Sequence, residues 1–298
     1  MKQHLLFPLL LAVGITSFTV QAQAQAVVQS ITIDKSNMGP DAVANPIPID
    51  AMTFRCLYTY QWVRDTNDRQ GSLQTDYLLL EIGQKTSKFY SYKTFQADSL
   101  RKTATPEEIM ANPKAFLGGS KNVVYKHYPV GKETITDKIL RSHFSYEEDL
   151  PSFAWTLCDS TRVLLGYSVQ MATCSFRGRD YVAWFASEIA ISDGPWKFQG
   201  LPGLILEVAD TQGHYTFSAT GIAPSQDVPI VFDEYPYLKT TRKKYTETRR
   251  RYVEDPIGFL TSTTDVKIAI RNDDGSENKS LSQSQPMKYD FLERDLRK

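Results

Sequence analysis

Residues 53–64 set Phe54, Cys56, Tyr58, Tyr60 and Trp62 on one side of the chain and Arg55, Leu57, Thr59 and Gln61 on the other. Side chains of an extended chain point alternately to two faces, so this aromatic, period-two run predicts a half-buried β-strand. The polar turn at 65–72 leads to a second strand at 74–82, and Gly83-Gln84 to a third at 87–95. Three strands joined by short turns predict an antiparallel meander. Further strands are expected at 122–127, 134–140, 153–158, 161–171, 176–189, 204–208 and 214–222, with Gly166 inside the 161–171 strand as a bulge or a close contact. Beyond 222 the chain is expected to leave the sheet through Pro224 and Pro229.

Two stretches change the period. In 105–116, Thr105 can cap, Pro106 suits a first helical position, and Glu107 and Glu108 suit the positive helix start, which predicts a short inserted helix. From 238 to 252, Leu238, Thr241, Tyr245, Thr248 and Tyr252 recur at steps of three and four, which predicts a second helix ending at Asp255-Pro256. The expected fold class is therefore all-β and mainly antiparallel. It is a curved meander forming a partly closed barrel or sandwich, with the short inserted helix and a basic C-terminal helix.

With 298 residues the chain can bury a core without staples. The expected organisation is a signal peptide at 1–26, an N-terminal arm at 27–52, a single β-rich domain at 53–262 and a polar C-terminal tail at 263–298. Within the arm, three prolines and Gly39 at 38–50 argue against a regular element. Residues 273–298 are polar and poor in core formers, which predicts loose order.

The N-terminus carries Lys2, an apolar run from Leu5 to Val20, and Ala-x-Ala steps ending at Ala24 and Ala26. That order of charge, apolar stretch and small residues is a secretory signal, with cleavage near Ala26 and a periplasmic or secreted product. Pro8, Gly14, Thr16 and Ser17 interrupt the run, and it falls short of the ~20 apolar residues of a membrane span. An oxidising destination permits a disulfide among Cys56, Cys158 and Cys174. If 162–171 is one strand, Cys158 and Cys174 stand about 33 Å apart, beyond the ~7 Å of a bridge. Cys56 paired with either of the others is then favoured, with three free thiols as the alternative.

The charge balance is zero, with a pI near 6.9, so no global field draws the chain to nucleic acid. Locally, Lys239, Arg242, Lys243, Lys244, Arg249, Arg250 and Arg251 face a single Glu247, a balance of +6 along the second helix. Such charge is ordinarily a solvated face, and Lys243, Lys244, Arg249, Arg250 and Arg251 are the candidates for contact with an anionic surface.

Metal chemistry is not indicated, because His127, His143 and His214 are widely spread and no C-x-x-C or H-E-x-x-H occurs. The acidic loop at 272–277 lacks the twelfth-position Glu of a calcium loop. Cofactor motifs for phosphate or dinucleotide are absent. The nearest approach to a nucleophile elbow, Gly166-Tyr167-Ser168-Val169-Gln170, lacks the second Gly and lies inside a strand. No catalytic constellation emerges. Glu188 and Asp193 are the carboxylates a hydrolase reading would use. A lipid carrier with a half-barrel cavity is the other alternative to a non-catalytic binding or accessory role.

The richest stretch is 176–208. A strand with both faces partly apolar runs into Ser192-Asp193-Gly194-Pro195, and Gly200, Pro202 and Gly203 then bend the chain so that Leu204-Ile205-Leu206 enters the core. Gly200-Leu201-Pro202-Gly203-Leu204-Ile205 spells the motif of the GLPGLI family of exported bacterial proteins, which the chain resembles over about 53–260. Gly178-Arg179, Ala183-Trp184-Phe185, Ile189, Gly194-Pro195 and Phe198 fit the same pattern, as do 81–83 and 87–91. The resemblance implies an exported protein of uncharacterised function and carries over no catalytic residues. The motif itself is expected to be a structural turn. A candidate ligand-binding groove is bordered by Arg177, Arg179, Trp184, Asp193 and Trp196, an aromatic and guanidinium rim.

Overall fold

The computed structural model describes residues 30–33, 43–101, 103–116, 118–263, 268–271, 276 and 285–296. The expected signal peptide, 1–26, and the acidic loop residues 272–275 and Glu277 lie outside them. In chain order the elements are β1 (Ser30–Ile33), β2 (Asn45–Val63), β3 (Leu73–Gly83), β4 (Ser87–Ser91), α1 (Tyr92–Arg101), α2 (Pro106–Ala111), β5 (Val123–Lys126), β6 (Lys132–Ile139) and β7 (Ser142–Asp149). They continue with β8 (Thr156–Leu164), β9 (Tyr167–Phe176), β10 (Arg179–Ala186), β11 (Leu204–Asp210), β12 (Tyr215–Glu234), β13 (Leu238–Lys239), α3 (Arg242–Glu254), α4 (Pro256–Thr263) and β14 (Ile268–Arg271).

Among the described residues, twelve strands form one sheet in the order β13-β7-β6-β5-β4-β3-β2-β12-β11-β10-β9-β8, and β1 pairs with β14 separately. Apart from the two-residue parallel contact of β13 with β7, every pairing in the large sheet is antiparallel. The mainly antiparallel β class is as expected. Its edge strands β13 and β8 do not pair with each other, so the sheet is not closed into a barrel.

The Phe54-to-Trp62 alternation is retained in β2, where Cys56 and Tyr58 are fully buried. Their cross-strand neighbours Leu80 and Leu78 continue the inner face into β3, followed by Phe89 on β4, Val124 on β5 and Ile135 on β6. The long link 187–203 lies over this face. Tyr58 donates its hydroxyl to the Ile205 carbonyl at 2.7 Å, and Phe198 sits against Tyr181 of β10 with ring centroids 4.8 Å apart. Leu201, Leu204, Ile205 and Leu206 are at most 1% exposed, so the motif supplies core.

Several elements differ from the sequence expectation. Strand β2 begins at Asn45, within the stretch expected to be irregular. Residues 45–51 pair with β12 alone, while β3 joins only from Met52, so Pro46 and Pro48 sit on an edge where no donor is required. Pro224 and Pro229 likewise do not end β12, because three register shifts along its pairing with β2 absorb them. The expected strand 161–171 is instead the hairpin β8–β9, turning at Leu165 and Gly166 with φ of 50° and 85°. Positive φ at both central residues matches the twist of a two-residue hairpin, and Leu is an uncommon occupant. Strand β4 stops at Ser91, and α1 follows, its Tyr92 and Phe95 rings stacked at 5.8 Å one turn apart. The expected inserted helix is present over Pro106–Ala111, with Thr105 as its cap and a reciprocal capping box between Thr105 and Glu108.

All three cysteines are free, which corrects the favoured pairing of Cys56. Strand β2 is separated from β9, which carries Cys174, by β12, β11 and β10. Four inter-strand steps of ~4.8 Å put them about 19 Å apart along the sheet, far beyond disulfide reach.

Gly203 shows why the link needs small residues. A Cβ there would stand 2.2 Å from the Ala186 carbonyl oxygen and 2.6 Å from its carbon. Gly203→Val is expected to destabilise the fold by about 1–3 kcal/mol or more, since backbone cannot step aside for the side chain. A thermal melt checks this, and an unchanged Tm contradicts it.

Candidate functional site

The hairpin turn between β9 and β10 consists of Arg177 and Gly178, with φ of 45° and 80°. It aims the Arg177 side chain at β7, where Nη2 donates to Glu148 Oε2 at 2.6 Å, and Nη1 bonds to Glu293 of the C-terminal segment. The link 187–203 delivers Lys197 to the same place. Its Nζ lies 3.0 Å from Glu133 Oε1 of β6 and 2.9 Å from Glu293 Oε1, and also bonds to Glu148. Arg242 of α3 closes the cluster, 2.8 Å from Glu293 Oε2 and 2.6 Å from Asp295 Oδ2.

Glu133 and Glu148 are directly opposite each other in the β6–β7 ladder, so two carboxyls face one inner space. Glu133 is fully buried, and both of its oxygens lack a well-aligned hydrogen-bond donor. Burial pushes Glu133 up to about 7, with Lys197 only partly offsetting it. Burial acts the same way on Glu148, but Lys197 and Arg177 outweigh it and hold that carboxyl at about 2. Burial opposes the charge on Lys197, yet Tyr146, Glu293 and Glu133 raise its pKa overall. The pair of carboxyls therefore keeps one proton across a wide pH range.

This has a measurable sign. Below the ordinary glutamate value of about 4.3, Glu133 is protonated folded and unfolded. Between there and about 7 only the folded chain holds the proton, so stability falls as pH rises through that window. Glu133→Gln, which mimics the protonated form, should show a smaller loss of Tm between pH 5 and pH 8 than the parent chain. Equal losses in the two proteins would refute the assignment.

A second cage surrounds Lys126, whose side chain is 1% exposed. Its ammonium donates to the Gly194 carbonyl at 2.7 Å and the Phe198 carbonyl at 3.3 Å, and pairs with Asp193. Asp193 Oδ1 also accepts the Gly194 N–H at 2.7 Å. The third cage surrounds Arg179: Nη1 reaches Asp210 Oδ2 at 2.8 Å, Nη2 the Phe291 carbonyl at 2.9 Å, and Nε the Leu292 carbonyl at 3.0 Å. Nη2 pairs with Asp290 as well, and the guanidinium lies 4.5 Å from the Tyr215 ring centroid. Burial works against ionised Asp290, but Arg294 and Arg179 hold its pKa below the ordinary aspartate value.

The five rim residues expected to border one groove are thus dispersed. Arg177 joins the first cage, where Lys197 is 5.6 Å from the Trp196 ring; Asp193 serves the second and Arg179 the third. Trp184 takes part in none of the cages. It stacks under Arg162 of β8 at 4.1 Å, and Arg162 in turn pairs with Glu207. Glu188 is exposed, with Oε1 accepting the Ser168 N–H at 3.2 Å, while Asp193 is bound to Lys126, so these two carboxylates do not form a pair.

Of the basic helix residues, Arg250 donates to the Leu296 carbonyl at 3.0 Å, and Arg249 lies 5.5 Å from the Tyr289 ring. Lys243, Lys244 and Arg251 face solvent. Gln285–Leu296, expected to be loosely ordered, instead supplies Asp290, Phe291, Leu292 and Glu293 to the cages. Sequence reasoning missed Lys126, Glu133 and Glu148. The available signal was that Lys126 continues the inward face of Val124 and Glu133 that of Ile135, the two being cross-strand from each other. Among the described residues no cluster of His, Cys, Asp and Glu is arranged to hold a metal ion.

A family model described as "Protein of unknown function (Porph_ging)" matches residues 177–207, the stretch that runs from the β9–β10 turn to the middle of β11. Comparison with curated proteins finds no match. Two solved structures of PNGF-II resemble the chain. The one in the C2 space group has a TM-score of 0.46 and 13% identity, covering 66% of this chain and 32% of that one. The one in the P21 space group has a TM-score of 0.45 and 12% identity, with the same coverage. The chain spans about a third of the length of these structures.

Proposed function

We propose that this is an exported cell-envelope protein of the GLPGLI type, periplasmic or secreted, with a non-catalytic binding or accessory role. The observation that carries the non-catalytic reading is the burial of the Glu133, Glu148 and Lys197 cluster: Glu133 is 0% and Lys197 1% exposed. A general acid or base has to touch its substrate, and these groups touch only the chain itself. A hydrolase built on Glu188 and Asp193 would need both free and facing each other, whereas each is engaged in a different environment. A carried acyl chain would need the space over the inner face that Phe198, Leu201 and Leu204 occupy.

In this reading the sheet is a rigid scaffold, and recognition belongs to its outer surfaces. The exposed cations Lys243, Lys244 and Arg251 of α3 offer one contact for an anionic surface. The signal pattern at the N-terminus supports export. Expression of the full chain in a Gram-negative host, followed by N-terminal sequencing of the periplasmic and culture fractions, tests it. A product beginning at Val27 in either fraction is expected, and an intact chain retained in the cytoplasm would contradict the proposal.

A further inference from the structure

The turn between β2 and β3 and the C-terminal segment enclose a cleft of about 240 Å3, with Arg64, Lys288 and Arg294 as its cations and Asp65 and Asp290 as its carboxylates. Both carboxylates are already engaged. Asp65 Oδ1 accepts the Asn67 N–H at 3.0 Å and its Oδ2 lies 3.5 Å from Lys288, while Asp290 Oδ2 is held by Arg179 and, at 2.9 Å, by Arg294. Arg64 is different. No carboxylate among the described residues pairs with its half-buried guanidinium, and its Nε is buried without an acceptor. Arg294 also lines the cleft; its Nη2 holds Asp290 and its Nη1 donates one N–H to Gln212 Oε1 at 2.7 Å, which leaves the second Nη1 N–H for a further acceptor.

Arg64 thus brings to the cleft a guanidinium that no carboxylate of the described residues neutralises, and such a group is suited to an oxyanion acceptor from outside the chain. Guanidinium groups match tetrahedral and planar oxyanions through paired N–H donors. Tyr289 is 36% exposed at the rim and is braced edge-on by Trp62 at 6.2 Å, so an aromatic face stands beside the charged pocket. We infer that this cleft binds a phosphate or sulfate monoester, with Arg64 and Arg294 holding the oxyanion and Tyr289 lying against the ring that bears it. The inference names a ligand class for the binding role proposed above but stands on its own site, so its failure leaves the question of export untouched.

Calorimetric titration of the full mature chain at low ionic strength with glucose 6-phosphate, glucose 6-sulfate, inorganic phosphate and inorganic sulfate tests it. Saturable binding of at least one monoester is expected, tighter than that of the matching inorganic ion, and the preferred monoester separates a phosphate source from a sulfate source. Arg64→Gln should weaken that binding about tenfold or more at an unchanged Tm. Lys288→Gln, at an exposed position, should weaken it less, and Lys93→Gln, on another part of the surface, should leave it unchanged. Absence of saturable binding with all four probes would overturn the assignment. So would Arg64→Gln that binds like the parent; if that variant does not fold, Lys288→Gln with undiminished affinity has the same force.

Discussion

Arg179→Ala is expected to destabilise the protein by about 3–5 kcal/mol, because it removes the cation from a buried ion cluster and leaves its carboxylates behind. Asp210 and Asp290 have side chains 1% and 4% exposed, so the substitution leaves buried charge without its counter-ion. Asp290 keeps Arg294 and Asp210 keeps the N–H groups of His214 and Tyr215, which makes the oxygen Asp210 Oδ2 the main casualty. For a chain of this size a loss of that order lowers Tm by about 6–20 °C. A residue whose task is to grip an external ligand would instead leave the melt nearly unchanged and reduce only binding. The melt of Arg179→Ala thus separates the two roles, and a Tm within a degree of the parent would restore Arg179 to the ligand-binding candidates.

Lys197→Met is expected to cost a similar amount, about 3–5 kcal/mol. Among the described residues Lys197 is the one cation that reaches Glu133, Glu148 and Glu293 together, and Arg177 and Arg242 contact only the last two of these. Without it Glu133 has no cationic partner among the described residues. Above about pH 7, where Glu133 is ionised in the parent chain, adding Glu133→Gln to Lys197→Met should therefore recover part of the loss, since the orphaned carboxylate disappears with its charge. Denaturant melts of the two single variants and the double variant measure this coupling. Strict additivity would mean that Lys197 and Glu133 do not act as a pair.

Much of the scaffold can be read from local pattern. The alternation through Phe54, Cys56, Tyr58, Tyr60 and Trp62 places β2, and the steps of three and four through Tyr245 and Tyr252 place α3, because both depend on which face meets the core. The Leu165-Gly166 turn was hidden because its first residue is an apolar one that fits equally well in a strand. Strand β7 was hidden by its acidic end, 147–149, which reads as solvent-exposed. Its inward residues Tyr146 and Glu148 are justified only by Ile135 and Lys197, contributed by a neighbouring strand and a distant link.

The candidate site was legible in its components but not in its assembly. Arg177, Arg179, Asp193 and Trp196 stood out by residue type within 176–208. Their partners lie far away in the chain, with Asp290 separated by 111 residues from Arg179 and Asp193 by 67 from Lys126. Sequence periodicity reports which side of an element is apolar and is blind to pairings at that range. A polar tail therefore read as solvated, although its Asp290 and Glu293 are the counter-ions of buried cations.

Residues 187–203 form a packed corner locked over the inner face of the sheet and fastened to the start of β11. The link is stitched by Leu204 N–H to the Ile189 carbonyl at 3.1 Å and by Ile205 N–H to the Asp193 carbonyl at 3.0 Å. Native-state hydrogen exchange at these two amides tests it most directly. Both are expected to exchange only through global unfolding, with the same opening free energy as the amides in the middle of β2 and β3. Exchange at either amide through a much cheaper local opening would show a mobile loop over the sheet and contradict the claim.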